Sequence, residues 1–141
     1  MDTKDEKIIK VLKQNSRESI KVIAKNAGLR PSTVHQRIQK LIKNKVIEKF
    51  TIKLDNKAVH EDFIVFILVK GSTTDYINEK ILNNEHVKEI FGVTGEYDLL
   101  IKLKFSNVED FNKFVISFRK ESKDIQSTLT MVATANLKEE I

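Results

Sequence analysis

Apolar residues recur at helical spacing through the first third of this 141-residue chain. Ile8, Ile9 and Leu12 form a stripe that predicts a first helix ending near Asn15. The residues 3–6, Thr-Lys-Asp-Glu, have the form of a capping box that begins this helix at Thr3. The first element is therefore predicted to be a short amphipathic helix.

Two more helices are predicted after a short connection. Ser19 is a suitable N-cap for a helix that runs through Ala27. Pro31 suits the first position of a third helix, where its missing N–H costs nothing. The residues predicted to face inward are Ile20, Ile23 and Ala24 on the second helix and Val34, Ile38, Leu41 and Ile42 on the third.

The spacing between the second and third helices is that of a helix-turn-helix motif. Ala24 is small enough for two helices to approach closely, Gly28 can adopt the positive φ of the turn, and Val34 can anchor the third helix. A three-helix packing module without a ligand is the alternative. Residues 1–47 are thus predicted to form a helix-turn-helix domain of the winged-helix-like type.

Charge favours a polyanion as the partner of this first region. Residues 1–55 carry 14 Lys and Arg and 6 Asp and Glu, a formal charge of +8, whereas residues 56–141 carry 11 and 14, a charge of −3. No acidic residue occurs between positions 30 and 47. A solvated lysine-rich surface without a partner is the alternative explanation of the charge alone.

The exposed side of the third helix carries the candidate DNA contacts. Residues near its start, Ser32, Thr33 and Gln36, are expected to reach base edges, and Gln36 suits a bidentate pair with adenine. Cationic residues farther along are expected to hold phosphates. The full predicted DNA-binding set is Arg30, Ser32, Thr33, Gln36, Arg37, Gln39, Lys40 and Lys43.

The second half of the chain alternates strands and helices. Residues 46–54 alternate and predict a connecting strand, and residues 48–61 are assigned to connecting strand and linker. Residues 63–69 suit a central strand buried on both faces. Helix starts are predicted at residues 73–75 and at Ser106. Further strands are predicted over 87–93, 97–105 and 128–136. The order βαββαβ predicts a ferredoxin-like domain over 62–141 and an α+β protein overall.

At this level of detail the chain resembles the Lrp/AsnC, or feast/famine, family of transcriptional regulators, in its archaeal type. The resemblance rests on short patterns in both halves, of which residues 93–100, Val-Thr-Gly-Glu-Tyr-Asp-Leu-Leu, are the most specific. The other matching residues are Asp5, Ile8, Leu12, Ala24, Gly28, Leu29, Thr33, Val34, Arg37, Ile38, Leu41, Val46 and Ile47. Three positions depart from the family pattern: Arg30 replaces a capping serine, Lys45 replaces a turn glycine, and Asp124 replaces a glycine before the last strand.

The resemblance implies a sequence-specific regulator that binds double-stranded DNA as a homodimer, or as an assembly of four or eight copies, and acts on the transcription machinery. It also implies a small amino-acid effector bound by the C-terminal domain. The matching effector positions are Gly95, Tyr97, Asp98, Thr128 and Thr130. The alternative is that these residues only make a hairpin turn, an oligomer contact and ordinary strand positions.

Other classes of function find little support in the composition. The chain has no cysteine, and its three histidines match no metal-ligand spacing, so no cofactor is expected. No nucleophile, base or phosphate-loop pattern predicts an enzyme. No apolar run predicts a membrane span, so a cytoplasmic protein is expected. An architectural DNA-packaging protein and an amino-acid-sensing subunit without DNA binding remain alternatives.

Overall fold

A computed structural model describes residues 1–71, 79–122 and 125–141. The chain divides into two compact units, one comprising Met1–Lys53 together with Ile141, and one comprising Leu54–Glu140. The helix start predicted at residues 73–75 lies outside the described residues, as does Asp124. Each unit has its own hydrophobic core.

The first unit contains three helices: α1 (Thr3–Gln14), α2 (Ile20–Ala27) and α3 (Pro31–Lys43). They surround a core that includes Ala27, the residue at which the second helix is predicted to end. The predicted order of three helices with a turn at Gly28 is confirmed. The core residues of this unit are Ile8, Ile23, Ala24, Ala27, Val34 and Ile38.

The starts of two helices differ by one residue from the prediction. α1 is capped by Asp2, whose carboxylate accepts the Asp5 N–H at 2.9 Å, while the Asp5 carboxylate accepts the Asp2 N–H at 3.1 Å. The cap before the last helix is Asn107, which accepts from Asp110 at 2.9 Å, and Ser106 instead donates to the His60 carbonyl. Asp and Asn cap helices as well as Ser and Thr do, so two adjacent residues can each serve as the N-cap. Which of them does so depends on contacts with other parts of the chain.

The connecting strand predicted over residues 46–54 is not formed. Phe50, Ile52 and Leu54 alternate with polar residues as predicted, but their side chains are at least half exposed. A strand requires a hydrogen-bonded neighbour, and no described segment of the chain pairs with this one. The described part of the first unit is therefore helical, followed by a stretch without regular structure.

The second unit is a four-stranded antiparallel sheet with helices on one face. In spatial order its strands are β2 (Val87–Gly92), β3 (Leu99–Phe105), β1 (Phe63–Gly71) and β4 (Ile125–Val132). This is the predicted βαββαβ arrangement, and the α+β fold class is confirmed. The elements are β1 (Phe63–Gly71), α4 (Glu79–Leu82), β2 (Val87–Gly92), β3 (Leu99–Phe105), α5 (Val108–Glu121) and β4 (Ile125–Val132).

The two faces of this sheet differ. Val65, Ile67 and Val69 are buried in the core with side chains from β3 and α5, whereas Phe66 and Leu68, which point the other way, are only half-buried. The prediction of a strand buried on both faces was therefore wrong at Phe66 and Leu68, because helices cover one face only, although Ile64 on the same side is buried. The apolar residues that cross-strand pairing places with Phe66 on the open side, called here the outer face, are Ile64, Leu68, Phe91, Leu100, Leu129 and Met131.

Candidate nucleic-acid interface and effector residues

α3 is held against the first unit by one apolar side and exposes the other. Val34, Ile38 and Leu41 are buried, whereas Ile42, predicted to be buried with them, is 38% exposed. Ile42 lies one residue, or about 100°, beyond Leu41 and so falls at the edge of the apolar stripe. The residues of the predicted interface that are exposed are Arg30, Ser32, Gln36, Gln39, Lys40 and Lys43, and Thr33 is half-buried.

The start of α3 is open to an acceptor. Arg30 occupies the N-cap position and its side chain makes no capping hydrogen bond, and Pro31 follows in the first turn. The first-turn amides are therefore not capped by a side chain, and helix N-termini of this kind attract anions such as phosphate. Arg30, Lys40 and Lys43 have no ion-pair partner in the part of the chain that the structure describes.

Arg37 differs from the other cations of α3. Its Nη1 lies 2.8 Å from both carboxylate oxygens of Asp2 and 3.0 Å from Oδ1 of Asp5. Hydrogen bonding to Arg37 lowers the pKa of Asp2 to about 2, and the same contacts raise the pKa of Arg37. In this structure the charge of Arg37 therefore ties α3 to the start of α1, and its contact with a phosphate stays a prediction.

Sequence reasoning also missed a role of Lys4 in the turn of the motif. Gly28 adopts φ +67° and its N–H donates to the Ala24 carbonyl, as the predicted turn requires. The ammonium of Lys4 donates to the Ala27 carbonyl at 2.8 Å, and so satisfies a carbonyl at the C-terminus of α2. The partners are 23 residues apart in the chain, so no local spacing could have indicated this contact.

The end of α3 explains one departure from the family pattern. Lys45 has φ +56°, the left-handed conformation that glycine adopts most easily. Its N–H donates to the Ile42 carbonyl at 3.0 Å, and the Val46 N–H donates to the Leu41 carbonyl at 2.9 Å. These are the two bonds of a Schellman motif, so the turn is kept although a lysine occupies it.

The structure brings two of the five predicted effector residues next to the end of β1. The Asp98 N–H donates to the Val69 carbonyl at 2.8 Å, and its Oδ2 accepts the Gly71 N–H at 2.9 Å. Thr128 lies opposite Val69 on the neighbouring strand. The carboxylate of Asp98 thus already binds a backbone amide, so in this conformation Asp98 joins the end of β1 to the start of β3.

The other three predicted effector residues are Gly95, Tyr97 and Thr130. Gly95 has φ +114° in a turn closed by a 2.9 Å hydrogen bond from the Val93 N–H to the Asp98 carbonyl. Tyr97 is half-buried, and Thr130 is exposed opposite Ile67. The positive φ at Gly95 agrees with the turn predicted there.

A cluster of ionic groups on the outer face was not predicted. The Glu139 carboxylate binds Lys102 and also accepts from Lys104 at 3.0 Å and from Asn56 at 2.9 Å. Burial opposes the ionised form of Glu139, but the hydrogen bonds from Lys102, Asn56 and Lys104 outweigh it and hold its pKa at about 2. The cluster fastens the C-terminal segment and the segment before β1 to strand β3.

Each of the two units matches a known protein family. Residues 1–42 match the AsnC-type helix-turn-helix domain, and residues 62–141 match the Lrp/AsnC ligand binding domain. The chain belongs to the Lrp/AsnC family of helix-turn-helix transcriptional regulators. The resemblance inferred from the sequence is thereby confirmed.

Individual relatives in this family match over nearly the whole chain. An HTH-type transcriptional regulator of Pyrococcus horikoshii is 37% identical over 100% of this chain and 97% of its own length. The HTH-type transcriptional regulator FL11 of the same organism is 33% identical over 99% and 93%. The structure of AsnC from E. coli superposes with a TM-score of 0.87 at 26% identity, over 100% of this chain and 97% of that one.

A more distant structure shares the fold at lower identity. It is a transcriptional regulator of Neisseria meningitidis in complex with L-Met, and it superposes with a TM-score of 0.88 at 22% identity over 99% of this chain and 93% of that one. No helix within the described residues is both long and apolar enough to cross a membrane. Over residues 1–71, 79–122 and 125–141, no three His, Cys, Asp or Glu side chains are grouped so as to hold a metal ion.

Proposed function

We propose that α3 of this Lrp/AsnC regulator enters the major groove of DNA. Ser32, Thr33 and Gln36 read base edges near the start of the helix, with Gln39 beside them. Arg30, Lys40 and Lys43 bind phosphates, because they are exposed cations without an ion-pair partner in the described residues. The observation that carries the proposal is this exposed face, which combines amides and hydroxyls with unpaired cations and has no acidic residue between positions 30 and 47.

We also propose that the chain acts as a homodimer joined through the outer face of the sheet. Phe91 is 54% exposed, Leu129 44% and Met131 42%, and all three lie on one continuous apolar face. Apolar faces of this kind on a soluble domain favour self-association. A two-fold dimer presents two α3 helices to two half-sites about one helical turn apart, so its operator is pseudo-palindromic.

The third part of the proposal is a response to an amino acid. The match of residues 62–141 to a ligand binding domain supports it, as does the L-Met complex of the Neisseria meningitidis relative. The residues proposed to bind or shape the effector site are Gly95, Tyr97, Asp98, Thr128 and Thr130. The ligand acts by favouring one assembly state over another, and the protein has a regulatory rather than a catalytic role in the cytoplasm.

The experiment is a selection from random double-stranded DNA by the full chain, with and without a mixture of the twenty amino acids. We expect a pseudo-palindromic consensus whose enrichment changes when the amino acids are present. Binding without any consensus would contradict the proposal and favour the architectural alternative. No DNA binding at all would favour the sensing subunit.

A further inference from the structure

The turn that ends α3 holds a lysine in a backbone conformation that favours glycine. Among the described residues other than glycine, only Lys45 and His60 have a positive φ, and that of Lys45 is +56°. A Cβ in this region crowds the following carbonyl oxygen, so a lysine costs folding free energy here that a glycine would not. The hydrogen bonds of the turn come from the backbone N–H groups of Lys45 and Val46, which any residue except proline supplies. The folding of the turn therefore does not explain the lysine.

The side chain of Lys45 has no use within the described part of the chain. It is exposed, and it makes no hydrogen bond or ion pair with residues 1–71, 79–122 or 125–141. A strained backbone conformation that persists without such a contact indicates a functional role for the side chain. The unused group is an ammonium, so its partner is expected to be an anion outside this chain.

The charges around Lys45 favour a polyanion as that partner. Lys40 and Lys43 lie in the last turn of α3, where they already provide the cations that the C-terminal end of a helix attracts. Lys45 adds a third positive charge within six residues, with no acidic residue between positions 30 and 47. Like charges this close repel one another, and a polyanion bound at this end of α3 removes the repulsion.

The length of α3 shows where such a polyanion would meet Lys45. The helix has 13 residues, so at about 1.5 Å per residue it is roughly 20 Å long. The major groove of B-DNA is about 12 Å wide. A helix whose first turn contacts base edges therefore extends beyond the groove toward the sugar-phosphate strand. Lys45 lies two residues past the end of α3, on the side of the groove where that strand runs.

We propose that Lys45 binds a backbone phosphate next to the base pairs contacted by α3. This inference rests on the proposed function of α3 and adds to it a contact that a glycine at this position could not make. A lysine ammonium is a compact point charge, and a phosphate carries no sequence information. Lys45 thus increases the affinity for DNA without contributing to the choice of sequence.

The test is equilibrium binding of the full chain to its selected operator at several salt concentrations. Lys45→Gly and Lys45→Gln are each expected to reduce the log–log salt slope by about 2 for a dimer and to raise the Kd about tenfold near 0.1 M salt, because each protomer loses one phosphate contact. Lys45→Arg keeps the charge and is expected to keep the slope. Lys120→Gln, which removes the same charge from an exposed position on α5, is the control and is expected to leave both unchanged.

A second measurement separates a DNA contact from a role in folding. Lys45→Gly relieves the left-handed conformation, so it is expected to unfold at a higher temperature than the parent protein while binding DNA more weakly. Lys45→Gln keeps the Cβ and loses only the charge, so it is expected to unfold near the temperature of the parent. Both variants should weaken binding to the operator and to unrelated DNA of the same length by the same factor, because the lost contact is to a phosphate.

Three results would overturn this inference while leaving the proposed function intact. The first is a parental slope in Lys45→Gln when Lys40→Ala reduces the slope. The second is binding by Lys45→Arg as weak as that by Lys45→Gln, and the third is an equal loss in Lys120→Gln, which would reflect net charge alone. If neither Lys40→Ala nor Lys45→Gln changed the slope, the proposed role of α3 would fail together with this inference.

Discussion

The exposed side of α3 and the outer face of the sheet are both open surfaces, but their chemistry is opposite. α3 exposes amides, hydroxyls and unpaired cations, with no acidic residue between positions 30 and 47. The outer face exposes Phe91, Leu129 and Met131, and the charges beside them are paired through Glu139. A cationic face suits a polyanion, whereas an apolar face with neutralised charges suits a second protein surface.

This difference suits two separate proposed roles in one small chain, DNA binding by α3 and dimer formation by the outer face. The cations on α3 lie on a helix whose position is set by three buried residues, so exposed positions can vary without affecting the core. The outer face belongs to strands whose other side forms the core, so its apolar residues alternate with core residues. Substitutions on the two surfaces are therefore expected to have different effects.

The largest effect is expected on the outer face. Leu129→Asp places an unpaired charge in the proposed dimer contact, at a cost of about 3–5 kcal/mol of association free energy. At micromolar concentration the variant is expected to sediment as a monomer, whereas the parent protein is expected to sediment as a dimer or a larger species. Ile116→Asp, at an exposed apolar position on α5, is the control. A variant that sediments like the parent would contradict the role of this face.

The next effect concerns sequence reading by α3. Gln36→Ala is expected to lower discrimination at one base position by about 1–3 kcal/mol, because it removes a pair of hydrogen bonds to a base edge. Competition binding with operators substituted at each position measures this loss. His35→Ala, an exposed neighbour on the same helix, is the control. Uniform weakening across all operators would instead assign Gln36 a role at the phosphates.

A smaller effect is expected at the ionic cluster of the outer face. The pKa of Glu139 is lowered to about 2 from an ordinary value of 4.5, so its stabilising effect is present above about pH 4.5 and is lost as the pH falls toward 2. Glu139→Gln is expected to lower the free energy of unfolding by about 1–2 kcal/mol at pH 7, allowing for solvent screening. Urea titrations at pH 7 and at pH 3 should show the difference shrinking, and a constant difference would rule out the ionic origin.

The cations of α3 are expected to differ in how much each contributes to the salt dependence of DNA binding. Lys40→Ala is expected to reduce the log–log salt dependence of DNA binding by about 2 for a dimer, because two phosphate contacts are lost. Arg37→Gln should weaken binding without changing this slope, because the Arg37 guanidinium binds Asp2 and Asp5. Filter binding between 50 and 200 mM salt measures both. If Lys40→Ala and Arg37→Gln reduced the slope equally, Arg37 would also bind a phosphate.

The smallest effect is expected at the turn after α3. Lys45→Gly relieves a left-handed backbone conformation and should raise the stability of the first unit by about 1 kcal/mol. Thermal unfolding followed by circular dichroism measures the change. Lys49→Gly, in the stretch without regular structure, is the control and should not stabilise. A destabilised Lys45→Gly variant would mean that the lysine side chain makes a favourable contact.

The sequence by itself determined the features that depend on neighbouring residues. The three helices, the turn at Gly28 and the βαββαβ order follow from apolar spacing and from caps a few residues away, and these local patterns predicted them. The cationic face of α3 is a property of thirteen consecutive residues and was equally visible. The predicted cap at Thr3 was wrong by one residue because Asp2 also caps well and, in addition, binds Arg37 from another helix.

Only the tertiary structure decided which side chains meet over long distances in the chain. Arg37 binds Asp2 across 35 residues, Lys4 reaches the end of α2 across 23, and Asn56 meets Glu139 across 83. A cavity beside His86 is likewise lined by four separate segments. Periodicity reports which side of an element is buried, but a salt bridge or a cavity depends on how different elements pack, and that packing brings together residues with no fixed spacing in the chain.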